Sequence, residues 1–139
     1  MANIEDIKKI LEDNHLRVTQ QRIEVLYELS NTYLHPTAED IFEKLSKRFS
    51  SLSLATVYKT LDTFANHGII RKIKNADQSI HYDADLSPHY HLLCSKTNKI
   101  IDFRDDEFLI LVNHYFINKN ITNFKVSEIQ LNILGETIN

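Results

Sequence analysis

The sequence predicts an α+β chain in two parts, a helical first half closed by a two-stranded wing and a smaller mixed half. Three observations carry that expectation. Capped amphipathic segments follow one another as far as Gly68. The polar run NADQ then separates two short β-prone runs, IIRKIK and SIHYD. Past Asp83, short strand-like runs surround one apolar helix.

Asn3 caps a helix expected through about Asn14, with Ile4, Ile7, Ile10 and Leu11 on one stripe. Thr19 caps a second, which carries Ile23, Leu26, Tyr27 and Leu29. In HPTAEDIFEKLSKRF, Pro36 biases His35 towards extended backbone, and Thr37 with Asp40 three residues on approaches a capping box. Ile41, Phe42, Leu45 and Phe49 form the core face of this third helix. Ser53 opens a fourth, LATVYKTLDTFANH, which stops at Gly68, a residue suited to a left-handed cap. Leu54, Val57, Leu61 and Phe64 share one face of it, leaving Ala55, Thr56, Tyr58, Lys59, Asp62 and Thr63 off the core. Packed helices followed by a hairpin make a winged helix-turn-helix.

The expected division is a winged-helix domain over 1–82, a hinge over 83–88 through ADLSP, and a second domain over 89–139. In that domain HLLCS and KIIDF are expected strands around KTN. DDEFLILVNHYFINKN is a helix whose acidic start suits the helix dipole. NFKVSEIQLNIL, 123–134, alternates in two phases and is expected to be one long strand with a bulge near Ser127–Glu128.

Composition narrows the function classes. Hydrophobic residues are 42% and charged residues 25%, as in an ordinary globular chain. No apolar run approaches the ~20 residues of a membrane span, so no membrane partner is expected. The start, MANIEDIKKILEDN, is acidic and helical and does not read as a signal peptide. A single cysteine, Cys94, makes neither an intrachain disulfide nor an all-thiolate zinc site, which fits a cytoplasmic protein.

The net charge of −3 lies wholly in the second half: residues 1–82 hold 11 cations and 11 anions, and residues 83–139 hold 5 and 8. Lys59, Arg71, Lys72 and Lys74 against Asp62 make a local basic excess, and screening confines the relevant field to about 10 Å. A helix entering the major groove needs small or hydrogen-bonding side chains at base edges and cations for the phosphates. Ala55 and Thr56 allow close approach, Tyr58 offers a ring and a hydroxyl, and Lys59 suits a phosphate or a guanine. An ordinary solvated helix face has the same composition, and the following basic hairpin favours DNA.

DLSPHYHLLCSKTNKIIDF, 85–103, concentrates metal-ligand chemistry. In a strand, residues i and i+2 point the same way about 6.5–7 Å apart, so His89 and His91 can converge on one ion. With the hairpin centred between Lys96 and Thr97, Asp102 sits opposite His91. Asp83 lies across ADLSP, and His35 stands at the mouth of the third helix. Three imidazoles and two carboxylates suit Fe(II) or Mn(II) and also accept Zn(II). Taken singly, a histidine before a helix is commonly a surface or capping residue, and lone aspartates are commonly solvated. His15, His67, His81 and His114 show no such arrangement and read as structural or surface positions. Two histidines and a carboxylate also describe non-haem iron oxygenases, but five protein ligands leave little room for substrate plus oxygen.

RVTQQRIEVLYEL, HPTAEDIFEKL, SLSLATVYKTLDTFANHGII, HYDADLSPHYHLLC and IIDF together resemble the ferric uptake regulator (Fur) family of bacterial metal-dependent repressors over nearly the whole chain. The resemblance implies a homodimer of winged-helix domains, each joined to a small α/β dimerisation domain. One divalent ion per subunit would close the dimer on palindromic operator DNA. It implies ligand roles for His35 of the HP motif, for Asp83 before the hinge, for the pair His89 and His91, and for Asp102. Aspartate at this last position is similar to the peroxide-sensing PerR branch, where iron-sensing members more often carry glutamate. In that branch Fe(II) splits hydrogen peroxide beside its own ligands and oxidises a histidine, here His35 or His89, after which DNA is released. Mn(II) would leave the same site blind to peroxide. A plain iron- or manganese-responsive repressor is the alternative, and no enzymatic turnover is expected.

Two departures from the family pattern matter. The family's structural zinc uses two C-x-x-C pairs. Here Thr97 stands where the partner of Cys94 belongs, and LNILGETIN holds no cysteine, so no structural zinc is expected. Packing by Phe103, Phe108, Leu111, Phe116, Phe124, Val126, Leu131 and Ile133 should then hold the second domain. In VSEIQL, Glu128 and Ile129 replace the histidines of an additional metal site.

Overall fold

A computed structural model of the chain describes residues 1–138; Asn139, the last residue of the expected second domain, lies outside the described residues. Two compact units result, Met1–Leu86 and a second beginning at Ser87.

The first unit contains α1 (Ile4–Asp13), α2 (Gln20–Ser30), α3 (Ala38–Ser46), α4 (Leu54–Asn66), β1 (Arg71–Lys74) and β2 (Ile80–Asp83). Each helix starts where a side chain supplies its missing acceptor. Asn3, Thr19, Thr37 and Ser53 accept from the backbone N–H three residues on, and Asn3–Asp6 and Thr37–Asp40 form full capping boxes. Such caps contribute about 1 kcal/mol each. Gly68 adopts φ +70° just past α4, the left-handed turn that a Cβ disfavours.

Ile7, Leu11, Val25, Leu26, Leu29, Ile41, Leu45, Val57, Leu61, Phe64 and Tyr82 form one buried core. Ile4 and Tyr27, expected on the inner stripes, are exposed, and Phe42 and Phe49 pack at the core's edge. Antiparallel β1 and β2 pair from Arg71↔Asp83 to Lys74↔Ile80, so the hairpin places Asp83 at its open end.

One local expectation fails. His35 is not extended but left-handed, with φ +49°. For a non-glycine residue that conformation costs about 1–2 kcal/mol, and tertiary contacts must hold it. One is visible at its neighbour: the Tyr82 N–H donates to the Pro36 carbonyl at 3.0 Å, fastening the HP turn to β2.

The second unit contains β3 (Tyr90–Cys94), β4 (Ile100–Phe103), α5 (Asp106–Asn118) and β5 (Asn132–Gly135). The sheet order is β4-β3-β5, with β3 antiparallel to β4 and parallel to β5. Asp105 caps α5, followed by Asp106 and Glu107 in its first turn.

The expected strand over 123–134 is reduced to β5, and residues 119–131 form neither helix nor strand. A strand needs a neighbour for its N–H and C=O groups, and β3 pairs its second edge with residues 132–135, adding one bond from the His91 N–H to the Leu131 carbonyl. The expected core also fails. None of Phe103, Phe108, Leu111, Phe116, Phe124, Val126, Leu131 and Ile133 is buried. The inner positions belong to Tyr90, Leu93 and Cys94, and Tyr90 meets Phe108 edge-on. Ile110, Leu111, Tyr115, Ile117 and Phe124 instead form a large exposed apolar set. No described helix is long and apolar enough to cross a membrane.

Candidate metal centre and nucleic-acid interface

In the first unit two expected ligands meet at the open end of the wing. His35, left-handed before Pro36, turns Nε2 to within 3.6 Å of Asp83 Oδ2. The other carboxylate oxygen, Oδ1, accepts from the Asp85 N–H at 2.8 Å, which orients the group. Both side chains are buried. A buried carboxylate beside a buried imidazole requires a proton or a cation to offset its desolvation.

The second unit gathers the other three. His91 pairs across the β3–β4 ladder with Asp102, and His89 sits two residues before it, at the entrance to β3. Nε2 of His89 lies 3.5 Å and Nε2 of His91 3.6 Å from the same atom, Asp102 Oδ1. The two rings stand edge to face with centroids 4.8 Å apart. His89 Nδ1 is 2.7 Å from the Ser87 carbonyl, which can only accept, so Nδ1 carries a proton and leaves Nε2 as the nitrogen that a neutral ring would offer to a metal. That is the usual arrangement of a ligating histidine, whose far N–H is held by a carbonyl or carboxylate. Arg104 steadies the same segment, donating to Ser87 Oγ at 3.0 Å and to the Pro88 carbonyl at 3.4 Å.

Separations of 3.5–3.6 Å are ones that two donors sharing a metal can adopt. Donors bound at about 2.1 Å and spread by about 110–120° stand roughly 3.4–3.6 Å apart. Imidazole nitrogen with carboxylate oxygen is the donor set of Fe(II), Mn(II) and Zn(II). Ser87 and Arg104 escape a motif search because Ser87 acts here through its backbone carbonyl, for which no residue type is a signal.

Cys94, three residues past His91, is buried and reduced. Its Sγ accepts from the Thr137 N–H at 3.4 Å and lies 3.6 Å from the Thr137 hydroxyl. Hydrogen bonds from Thr97 and Thr137 pull the thiol down to about 6. Both positions that face the sulfur hold threonine.

The outer face of α4 presents Ala55, Tyr58 and Lys59 to solvent, with Thr56 half-buried. The Thr56 hydroxyl is 2.8 Å from Ser53 Oγ, so part of its hydrogen-bonding capacity is used at the helix cap. The Tyr58 hydroxyl donates to Glu39 of α3, which holds the Glu39 carboxyl below its ordinary value and raises Tyr58 above its own. Lys72 of the wing pairs with Asp62 of α4 at 2.6 Å, reducing the basic excess expected there and tying wing to helix.

Comparison with known proteins agrees with this architecture. The model of the ferric uptake regulator family matches residues 13–134. The peroxide operon regulator of Bacillus subtilis (strain 168) is 36% identical over 135 residues, covering 95% of this chain and 89% of that protein. The Campylobacter jejuni peroxide stress regulator superposes with a TM-score of 0.72 at 26% identity, over 100% of this chain and 98% of that one. The ferric uptake regulator of Pseudomonas aeruginosa, solved with manganese, shares the fold at a TM-score of 0.81 and 24% identity, over 96% and 98% of the two chains.

Proposed function

Because the chain belongs to the ferric uptake regulator family of metal-responsive regulators, we propose that it is a repressor whose hold on operator DNA depends on one divalent ion per subunit and ends on exposure to hydrogen peroxide. His35 and Asp83 of the first unit and His89, His91 and Asp102 of the second are the ligands. The observation that carries the reading is that Nε2 of His89 and Nε2 of His91 each lie within 3.6 Å of Asp102 Oδ1, with His89 Nδ1 tied to the Ser87 carbonyl. The donor sets are complementary: two groups or three leave the shell of a divalent ion open, and five nearly close it.

An ion gripped by ligands from both units removes the freedom of the intervening segment. It can therefore shift the population towards the one arrangement of recognition helices that fits an operator. The α4 residues Ala55, Thr56, Tyr58 and Lys59 meet the bases and backbone there, and Tyr58 must exchange Glu39 for DNA if its hydroxyl is to take part. The exposed apolar set on α5 and at Phe124 supports a homodimer, since a patch of that extent in water is unfavourable until a second copy covers it.

Fe(II) held by these residues would supply the one-electron chemistry that cleaves peroxide, which Mn(II) would not. His35 and His89 are the imidazoles that take the oxygen. In net terms, one peroxide oxygen would enter a ring C–H to give C–OH and the other would leave as water. The ring would lose both electrons and the metal none net, and the altered ring would donate less well to metal. Aspartate at position 102 and the peroxide-regulator relatives favour this reading over plain iron or manganese sensing.

The test uses duplexes selected from a random pool by the Mn(II)-loaded protein. Metal should tighten binding about tenfold or more over chelator-treated protein. Peroxide should abolish binding by the Fe(II) form and add one oxygen atom at His35 or His89, leaving the Mn(II) form intact. Equal affinity with and without chelator ends the metal switch, and an Fe(II) form that keeps binding without an adduct leaves plain metal sensing.

A further inference from the structure

We infer that His81, outside the proposed ligand set, is a positioning residue that holds His35 in its metal-binding conformation. The inference rests on the reading of His35 as a ligand.

His81 lies on β2 opposite Ile73, two residues before Asp83. Its Nδ1 stands 2.6 Å from the carbonyl oxygen of His35, 46 residues earlier in the chain. A carbonyl only accepts, so Nδ1 donates. The ring's other nitrogen, Nε2, is 2.9 Å from Ser79 Oγ, and Ser79 is hydrogen-bonded in turn to Asp77 at the hairpin turn. One chain of hydrogen bonds thus runs from the wing's turn to the backbone of residue 35.

His35 needs such a restraint. Its φ of +49° is left-handed, and the residue precedes a proline, which favours extended backbone. Relaxed to extended backbone, residue 35 would aim its ring elsewhere and separate it from Asp83. Two bonds oppose that: His81 to the carbonyl of residue 35, and the Tyr82 N–H to the carbonyl of residue 36. The second comes from backbone and survives any side-chain substitution at 81. The first is the contribution of His81 alone. Partners that orient a ligand typically change metal affinity by about tenfold to a hundredfold when removed.

Three substitutions separate positioning from general stability. His81→Asn puts its amide nitrogen near the place of Nδ1 and keeps the donor to His35. His81→Gln extends towards the place of Nε2 and keeps the link to Ser79 instead. His81→Phe keeps a ring and neither bond. Mn(II) affinity of the full chain, followed by the electron paramagnetic resonance of free Mn(II), should fall about tenfold or more in the Phe and Gln variants and stay near wild type in the Asn variant. Thermal unfolding of the metal-free proteins should not follow that order. Wild-type affinity in the Phe variant overturns the inference, and so does equal rescue by Gln and Asn. His35→Ala is measured alongside. If it too binds Mn(II) normally, the reading of His35 as a ligand fails; if it alone loses Mn(II), only the role of His81 fails.

Discussion

The backbone N–H of Thr137 donates to the sulfur of Cys94, 43 residues earlier, at 3.4 Å. The bond closes the chain just past β5 onto the end of β3, where Cys94 pairs with Gly135. Thr97, on the turn after β3, bonds the same sulfur, and together these donors hold the thiol at about 6 instead of its ordinary 9.0. A lowered thiol favours the folded state through its thiolate. That contribution is complete above the unfolded value and is lost as the pH falls through the folded one. The advantage of wild type over Cys94→Ser in thermal unfolding should therefore shrink between pH 9 and pH 6. Serine preserves hydrogen bonding but does not ionise. Thiolate absorbance near 240 nm should titrate with a midpoint near 6. A midpoint at the ordinary thiol value would show that the two threonines do not stabilise the thiolate.

Most of the first unit is legible in its sequence because its signals are local. Asn3, Thr19, Thr37 and Ser53 cap the helices that follow them, and Gly68 ends the last. Position 35 is the exception. Its conformation is set by partners in β2, far along the chain, and no local rule contains them. The second unit is less legible for a related reason. Apolar residues on α5 and in 123–134 look like core in sequence, but an apolar residue that faces outward in a single chain has the same spelling. The pairing of His91 with Asp102 was readable because a short hairpin fixes its register.

Thr37 and Asp40 exchange both bonds of a capping box, with Thr37 Oγ1 accepting from the Asp40 N–H at 3.1 Å and Asp40 Oδ2 from the Thr37 N–H at 3.0 Å. Thr37→Ala removes the first and leaves the start of α3 with an N–H that only water can satisfy. Stability in urea should fall by about 1 kcal/mol with an unchanged denaturant slope. Because α3 begins three residues after His35, Mn(II) affinity is a second readout. A loss of affinity at full folded population would show that α3 also steadies the ligand turn.

Tyr58 and Glu39 are both exposed, so their bond contributes little to folding in water, but it positions the Tyr58 hydroxyl on the face proposed to meet DNA. Tyr58→Phe should leave thermal unfolding almost unchanged. It should weaken operator binding if the hydroxyl reaches a base or phosphate, by about 1 kcal/mol for one neutral hydrogen bond. Glu39→Gln removes a negative charge that faces the same DNA and should strengthen binding and reduce its salt dependence only slightly, since salt slope follows the number of phosphates contacted. A Tyr58→Phe protein with wild-type operator affinity would restrict the residue to a thymine-methyl contact through its ring.

Leu111 on α5 is 65% exposed and stands beside Ile110, 68% exposed, with Ile117 further along at 81%. No residue of α5 is buried, which is unusual for a 13-residue helix this rich in leucine, isoleucine, valine and phenylalanine. If a second copy covers this face, Leu111→Glu places a carboxylate in an apolar interface, where it must be desolvated or must keep the subunits apart. The variant should sediment as a monomer at concentrations where wild type is a dimer, and its operator affinity should drop because two half-sites are no longer linked. Its own Mn(II) site should survive if all five ligands come from one subunit, as proposed. A Leu111→Glu dimer with wild-type operator binding would move the interface elsewhere, and loss of Mn(II) binding on monomerisation would mean that the ligand set depends on the dimer.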